Sequence, residues 1–164
     1  MRWFAYNGDA DGICSMVQWG LVNGVDGQRI TGVKRDIELL KRIDAKEGDE
    51  LIVMDLSLAR NSSTASKLEN NGVTIQWFDH HLAGDYEGSI EKNINTSSKV
   101  CTAVIVEEYL GVRSSWTQVA LHGDGLSEIS SEPEFKELGE LLNYNGYGAD
   151  LSDLHFHPDD LMLS

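Results

Sequence analysis

"FAYNGDADGICS", residues 4–15, decides the fold, because an apolar segment runs directly into two aspartates that are flanked by glycines. Residues 3–6 predict a short strand, and residues 11–23 predict a helix with most of its apolar side chains on one face. A strand that leads closely into a helix is typical of a parallel β-α-β unit. Asp9 and Asp11 then lie at the carboxyl end of this strand, either as metal ligands or as an acidic helix cap.

The same alternation continues along the chain. Further strands are predicted at residues 29–33, 50–56 and 73–78. Helices are predicted at residues 37–43, at 61–70 with Asn61 or Ser62 as the cap, from Ser97 or Ser98 to residue 110, at 116–122 and at 134–142. Strands that alternate with helices predict an α/β fold, here a Rossmann-like three-layer domain with a mostly parallel central sheet and helices on both faces.

Length and composition set the class of protein. A chain of 164 residues with 41% hydrophobic content predicts one domain over residues 1–164. No apolar run reaches the roughly 18 residues that a membrane span needs, and the amino terminus has no signal-peptide pattern. Cys14 and Cys101 lack the short spacing of metal ligands, so buried thiols are expected. These features predict a cytoplasmic protein with no membrane partner.

The charge is strongly negative and unevenly distributed. The net charge is −14, and residues 123–164 carry ten acidic side chains against one lysine. Such a surface repels phosphate backbones, which argues against binding to long duplex nucleic acid. A short phosphorylated substrate remains compatible with this charge if bound cations reset the local field. Simple solubility, or a salt-tolerant source, is the alternative explanation for the exposed acids.

Acidic side chains and histidines follow three of the predicted strands. They are Asp9, Asp11, Asp55, Asp79, His80 and His81. The carboxyl ends of neighbouring parallel strands line one crevice, so these groups should meet there. Clustered carboxylates repel one another and call for a positive partner, and oxygen ligands mixed with imidazole suit Mn²⁺ or Mg²⁺. In extended chain the tandem histidines point to opposite sides, so one could bind metal while the other contacts a substrate phosphate.

Three motifs in order, "GDADG" at residues 8–12, "VMDLS" at 53–57 and "DHH" at 79–81, resemble those of the DHH phosphoesterase superfamily. The resemblance covers roughly residues 1–125. That superfamily includes manganese-dependent inorganic pyrophosphatases, single-strand exonucleases, oligoribonucleases and cyclic-dinucleotide phosphodiesterases. Its members share an amino-terminal α/β domain with a two-metal centre, usually of Mn²⁺.

The resemblance implies roles for individual residues. Asp9 would bind one metal ion, Asp11 the other, and Asp55 would bridge the two. His80 would be a further ligand, and His81 would contact the scissile phosphate. Asp55 and His81 are therefore assigned to catalysis. Two metal ions about 3.5–4 Å apart can activate a water molecule and stabilise both the attacking and the leaving oxygen.

The remaining assignments concern residues around these motifs. Asp79 would fix the orientation of an imidazole and so assist catalysis. Asp124, in "ALHGDGLSE", stands where the superfamily has a further metal ligand. The stretch "NTSSKVCTA" at residues 95–103 resembles the superfamily's polar segment that opens a helix. Ser97, Ser98 and Lys99 would bind a phosphate there, with ordinary helix capping as an equal alternative.

Two departures from the superfamily pattern stand out. Ala5 occupies the position of a histidine that many members have four residues before the first motif aspartate. The first metal ion would then have one ligand fewer, or would be held by Asn7, with His122 as a replacement on position alone. The carboxyl-terminal substrate-binding domain that is usual in the superfamily is expected to be absent or truncated in this sequence.

The sequence thus predicts an enzyme, a metal-dependent phosphoesterase with two Mn²⁺ ions, or Mg²⁺ as the alternative. Its substrate would be a small nucleotide or a short oligonucleotide. A catalytically incompetent metal- or nucleotide-binding domain is the main alternative, and an inorganic pyrophosphatase is the weaker one. A homodimer is left open. In the tail, an aromatic loop or a linker is favoured over a metal site at His155 and His157.

Overall fold

The computed structural model describes all 164 residues and is built on one five-stranded sheet. The strand order is β2-β1-β3-β4-β5, and all four neighbouring pairs are parallel. The strands are β1 (Arg2–Tyr6), β2 (Gln28–Thr31), β3 (Glu50–Met54), β4 (Thr74–Asp79) and β5 (Glu91–Ile94).

Six α-helices complete the domain. They are α1 (Ala10–Asn23), α2 (Leu58–Asn70), α3 (Thr102–Leu110), α4 (Ser115–Gly123), α5 (Lys136–Asn145) and α6 (Pro158–Leu163). Short 3₁₀ turns lie at Leu39–Arg42, Ser127–Ile129, Pro133–Phe135 and Leu151–Asp153. None of the helices has the length and hydrophobicity that would let it cross a membrane.

Alternating side chains of the strands fill a core on each face of the sheet. On one face Val53 and Trp77 pack with Leu58 and Leu68 of α2. On the other face Ile52 and its neighbours pack against α1, α3 and α6. Because successive strand residues point to opposite faces, a sheet covered on both sides needs apolar residues at nearly every position. The predicted α/β fold, with a parallel sheet between two helical layers, is confirmed.

Two connecting segments differ from the prediction. No strand was predicted between residues 79 and 96, but Glu91–Ile94 pairs in parallel with β4. It is an edge strand, so its polar residues face solvent and hide the alternation that marks a buried strand. The predicted helix at 37–43 is only the 3₁₀ turn Leu39–Arg42. Leu39 and Leu40 are fully buried there, and this packing explains the amphipathic pattern.

The start of α2 also needs correction. The helix begins at Leu58, and the Ser57 hydroxyl accepts a hydrogen bond from the Arg60 N–H, so neither Asn61 nor Ser62 is the cap. Asn61 instead lies inside the helix, where its side-chain amide donates to the Ile37 carbonyl at 2.6 Å.

The carboxyl-terminal tail folds back onto the domain. Asp159, at the start of α6, accepts hydrogen bonds from the Tyr6 hydroxyl at 2.8 Å and from two Arg29 nitrogens at 2.8 and 3.2 Å. His157 caps α6 by accepting the Asp159 N–H. It belongs to no cluster of metal-ligating groups, and the same holds for His155. The tail therefore packs on the domain through α6.

Trp77 connects the core to the segment after β3. Its side chain is fully buried, and its indole N–H donates to the Leu56 carbonyl at 2.8 Å, one residue after Asp55. Burial of the ring and satisfaction of this carbonyl both hold the segment that carries Asp55.

We expect Trp77→Ala to lower the free energy of unfolding by about 3–5 kcal/mol, since it removes a large buried ring. Trp116→Ala is the matched control, because Trp116 is only partly buried and the same substitution there should cost much less. Urea denaturation of both variants measures the difference. Equal losses would contradict this role of Trp77.

Candidate metal centre

The register of the sheet brings the ends of three strands side by side. Met54, the last residue of β3, pairs with Tyr6 of β1 and with Phe78 of β4. The residues that follow these three positions therefore lie at the same carboxyl end of the sheet, and Asp55 and Asp79 are among them. The shared edge expected from the sequence is present in the structure.

Asp9 is both a helix cap and a lining residue of this edge. Its side chain accepts the Gly12 N–H at 3.0 Å and so caps α1. Its backbone N–H is held by the Asn7 side-chain oxygen at 3.0 Å. Gly12 is required at this turn because a Cβ there would lie 2.0 Å from the Asn7 carbonyl oxygen. The structure thus shows Asp9 as the cap of α1, one of the two alternatives that the sequence left open for this aspartate.

Asp11 is buried and bound to the start of a second helix. Its two carboxylate oxygens accept the N–H groups of Thr102 and Ala103, each at 2.9 Å. These are orphan donors at the amino terminus of α3, where the helix dipole favours a negative charge. Asp11 is therefore fixed by a segment about 90 residues further along the chain.

The polar stretch before α3 does not form its amino terminus. The helix starts at Thr102 with Cys101 as the N-cap residue, so the predicted cap at Ser97 or Ser98 is wrong. Ser97, Ser98 and Lys99 are exposed and precede the helix. The backbone N–H groups at the start of α3, which were expected to bind a phosphate, donate to Asp11 instead. Cys101 and Cys14 are buried free thiols, as predicted.

Asp55 has a special backbone conformation. It is the only non-glycine residue with a positive φ, at 60°, and this left-handed region is sparsely populated by side-chain-bearing residues. Its N–H donates to the Phe78 carbonyl at 2.9 Å, and its side chain accepts the Thr102 hydroxyl at 2.9 Å. The strained turn aims a buried carboxylate at the edge of the sheet, which is where such conformations tend to serve function.

Three carboxylates converge on one imidazole nitrogen. His80 Nε2 lies 3.5 Å from Asp11 Oδ2, 3.4 Å from Asp55 Oδ1 and 3.9 Å from Asp124 Oδ2. Asp124 reaches this point from the carboxyl-terminal end of α4. The side chains come from four separate parts of the chain. Carboxylate oxygens with one imidazole are a donor set that fits Mn²⁺ or Mg²⁺.

The electrostatics of these carboxylates also fit a cation. Burial and the nearby charges of Asp11 and Asp9 hold the pKa of Asp55 well above its usual range. Burial likewise raises the pKa of Asp11, and burial with the Asp11 charge raises the pKa of Asp124 to about 6. Without a cation, burial and mutual repulsion favour the protonated form of these carboxylates. A divalent ion would replace these protons.

His81 and Asp79 form a separate pair beside this point. His81 Nδ1 lies 2.7 Å from Asp79 Oδ1, and Asp79 is fully buried with no partner for its second oxygen. The hydrogen bond to Asp79 raises the pKa of the half-exposed His81 imidazole. The strand ends at Asp79, so the expected opposite orientation of His80 and His81 is wrong: their ring centroids lie 4.4 Å apart.

A lysine, which sequence reasoning missed, lies at the other end of the cluster. Lys34 Nζ lies 2.7 Å from Asp9 Oδ2 and 3.0 Å from Asn143 Oδ1. Although burial opposes it, the Lys34 charge holds the pKa of Asp9 below its usual range. Lys34 follows β2, so the rule that site residues follow parallel strands could have pointed to it.

Neither replacement ligand proposed for the Ala5 side of the site is free. Both ring nitrogens of His122 are engaged, with the Ser127 hydroxyl at 2.8 Å and the Glu132 carbonyl at 3.0 Å, so its predicted role as a ligand is wrong. The Asn7 amide donates to the Lys34 carbonyl at 2.9 Å while its oxygen holds the Asp9 N–H. Ala5 itself is buried in the apolar core.

Both histidines and three of the carboxylates face an open cavity of about 580 Å³. Its lining includes Asp9, Lys34, Asp55, His80, His81, Asp124 and Arg60. Arg60 is exposed at the start of α2 and was not singled out from the sequence. Together with Lys34 it adds positive charge to an otherwise acidic opening.

No protein-family model and no curated protein matches this chain. Solved structures do align with it. A DHH domain from a member of a family of ribosomal proteins aligns with a TM-score of 0.66 at 12% identity, over 87% of this chain and 46% of that chain. The exonuclease RecJ bound to manganese aligns with a TM-score of 0.52 at 19% identity, over 89% of this chain and 48% of that chain. The pGpG-specific phosphodiesterase PggH from Vibrio cholerae aligns with a TM-score of 0.52 at 17% identity, over 99% of this chain and 50% of that chain.

These alignments establish the fold. The chain has the α/β fold of a DHH domain, as the motifs predicted. It spans about half the length of each of these structures.

The Asp79–His81 pair leads to a prediction about charge. A raised pKa means that the ion pair stabilises the fold at low pH and that this contribution is lost as pH rises through the pKa of His81. Asp79→Asn keeps an acceptor oxygen but removes the charge, so the pKa of His81 should fall. NMR titration of the metal-free protein measures it, with the His155 resonances as an internal control. An unchanged pKa of His81 in the variant would contradict the pairing.

Proposed function

We propose that this domain is a metal-dependent phosphoesterase that hydrolyses phosphodiester or phosphomonoester bonds of a small nucleotide or short oligonucleotide. The observation that carries the proposal is the convergence of Asp11, Asp55 and Asp124 on His80 Nε2, next to the His81–Asp79 pair. Asp55, Asp124 and both histidines line one cavity. The fold supports it, since one aligned structure is an exonuclease bound to manganese and another is a pGpG-specific phosphodiesterase.

Asp11, Asp55, His80 and Asp124 would hold a divalent cation, Mn²⁺ or Mg²⁺. Such an ion supplies charge for phosphate oxygens and a water nucleophile at neutral pH. The protein's part is to fix the ligands. The amino terminus of α3 orients Asp11, the Thr102 hydroxyl orients Asp55, and the end of α4 carries Asp124.

His81 is proposed to contact the scissile phosphate. Its Nδ1 is engaged with Asp79, which leaves Nε2 for an oxygen of the substrate. The raised pKa of His81 favours the protonated imidazole, which donates a charge-assisted hydrogen bond to that oxygen and can protonate a leaving group. Asp79 acts through His81, by holding its orientation and charge.

The shape and charge of the surroundings favour a small substrate. The cavity of about 580 Å³ is of a size that suits a nucleotide or dinucleotide. The net charge of −14 opposes the approach of a long polyanion, so attraction must be local. Within the cavity, Lys34 and Arg60 are the cationic side chains that could attract a phosphate.

Activity tests the proposal directly. With Mn²⁺ and bis(p-nitrophenyl) phosphate, or a short oligonucleotide, we expect release of product by the natural sequence. Asp55→Ala should reduce the rate at least a hundredfold, and His81→Gln by about 10²–10⁴, the range for loss of a proton donor. Asp26→Ala, at an exposed aspartate outside the cavity, is the control for loss of an acid.

Equal rates for Asp55→Ala and the natural sequence would refute the enzymatic assignment. Metal uptake together with intact nucleotide after long incubation would instead support a metal- and nucleotide-binding domain without catalysis. Release of phosphate from pyrophosphate, in place of diester cleavage, would support a pyrophosphatase.

Arg60 gives a second prediction about substrate binding. Arg60 lines the cavity, and its guanidinium forms no ion pair with the protein. We expect Arg60→Gln to raise KM about tenfold, the equivalent of one charge-assisted hydrogen bond, with little change in kcat. Arg113→Gln, at an exposed position away from the cavity, is the matched control. A change in kcat alone would place Arg60 in catalysis rather than in binding.

A further inference from the structure

Lys34 occupies a defined place within the carboxylate cluster. Its ammonium donates to Asp9 Oδ2 at 2.7 Å and to Asn143 Oδ1 at 3.0 Å. About a third of its side chain is exposed, and it lines the cavity together with Asp55 and His80. Lys34 therefore supplies positive charge to the Asp9 side of the site, while the proposed metal ligands meet on the other side.

Several contacts fix this lysine. Its carbonyl accepts the Asn7 amide at 2.9 Å, and its N–H donates to the Gly146 carbonyl at 2.8 Å. Asn143, which holds the ammonium, belongs to α5. The turn before α1 and the end of α5 thus anchor both the backbone and the side chain of Lys34. It is not a freely rotating surface lysine.

Both carboxylate oxygens of Asp9 are already engaged. One carboxylate oxygen caps α1 through the Gly12 N–H, and the other is paired with Lys34. A divalent cation on Asp9 would have to displace the ammonium or lie beside it. If both contacted the same carboxylate, the cation and the ammonium would repel each other strongly in this buried site.

The neighbourhood of Asp9 offers no further ligand set. Ala5 is apolar and buried, Asn7 has both amide atoms in hydrogen bonds, and His122 has both ring nitrogens engaged. The opposite half of the site differs sharply. There His80 lies within 4 Å of three carboxylates.

We propose that the centre binds one divalent cation, on Asp11, Asp55, His80 and Asp124, and that the Lys34 ammonium replaces a second cation at Asp9. This inference rests on the proposed metal-dependent function and departs from the two-ion centre that the sequence resemblance implies. An ammonium has three donors, and two of those of Lys34 are used by Asp9 and Asn143. The third is available to a substrate phosphate oxygen.

Metal stoichiometry tests the inference without reference to activity. The full chain is saturated with Mn²⁺ by equilibrium dialysis, and bound metal is measured by elemental analysis. We expect one Mn²⁺ per chain, with the electron paramagnetic resonance spectrum of an isolated ion. Two ions per chain with an exchange-coupled spectrum would overturn the inference.

Variants of Lys34 test whether this residue determines the number of Mn²⁺ ions bound per chain. Lys34→Met removes the ammonium at similar length and should allow a second Mn²⁺ to bind, whereas Lys34→Arg keeps the charge and should bind one. Lys41→Met is the control for loss of a lysine, because Lys41 pairs only with Glu38 on the surface. A folded Lys34→Met variant that still binds one ion would overturn the claim that Lys34 replaces a cation. If this variant does not fold, the count for the natural sequence still decides between one ion and two.

The outcomes separate this inference from the function on which it rests. Absence of any bound Mn²⁺ in the natural sequence would refute the proposed metal centre itself. Two bound ions would leave the proposed phosphoesterase in place and remove only the role of Lys34.

Discussion

Buried negative charge at one edge of a parallel sheet is the constraint on which this structure depends. Asp9, Asp11 and Asp55 are each at most 5% exposed, and the strand order forces them together. Buried carboxylates are costly unless they are paired or hydrogen-bonded. The chain meets this cost with different partners. The amino terminus of α3 and the His80 imidazole stabilise Asp11, while Lys34 stabilises Asp9.

Most of the fold could be predicted because its signals are local. Apolar strands that end in acid, with helices between them, indicate a parallel sheet wherever they occur. The errors arose where tertiary contacts override local pattern. α3 lacks a local cap because Asp11, distant in sequence, supplies its acceptors. β5 is polar because it is an edge strand, and the segment around Leu39 is amphipathic because it packs on the core without completing a helix.

The candidate site divides in the same way. Aspartates and histidines directly after strands could be identified from order and spacing, and the structure brings Asp11, Asp55, His80 and Asp124 together. The contacts that these groups make with other elements could not be identified from the sequence. The ammonium of Lys34 is held in part by Asn143, about a hundred residues later in the chain. His122 is not free to bind a metal because Ser127 and Glu132 engage its ring nitrogens. Sequence shows which groups carry chemistry, but whether a group is free depends on its contacts.

A lysine and a metal ion are not equivalent sources of positive charge. A bound ion can leave, carries water and accepts several oxygens, whereas the Lys34 charge is covalently attached and offers only donors. Because the pair with Asp9 neutralises one carboxylate permanently, the half of the cluster on His80 has fewer like charges to overcome when an ion binds. With a fixed ammonium in place of a second ion, activity would depend on metal concentration through a single binding event. In the one-ion centre that we propose, Lys34 would thus influence how the site responds to metal supply without contacting the ion.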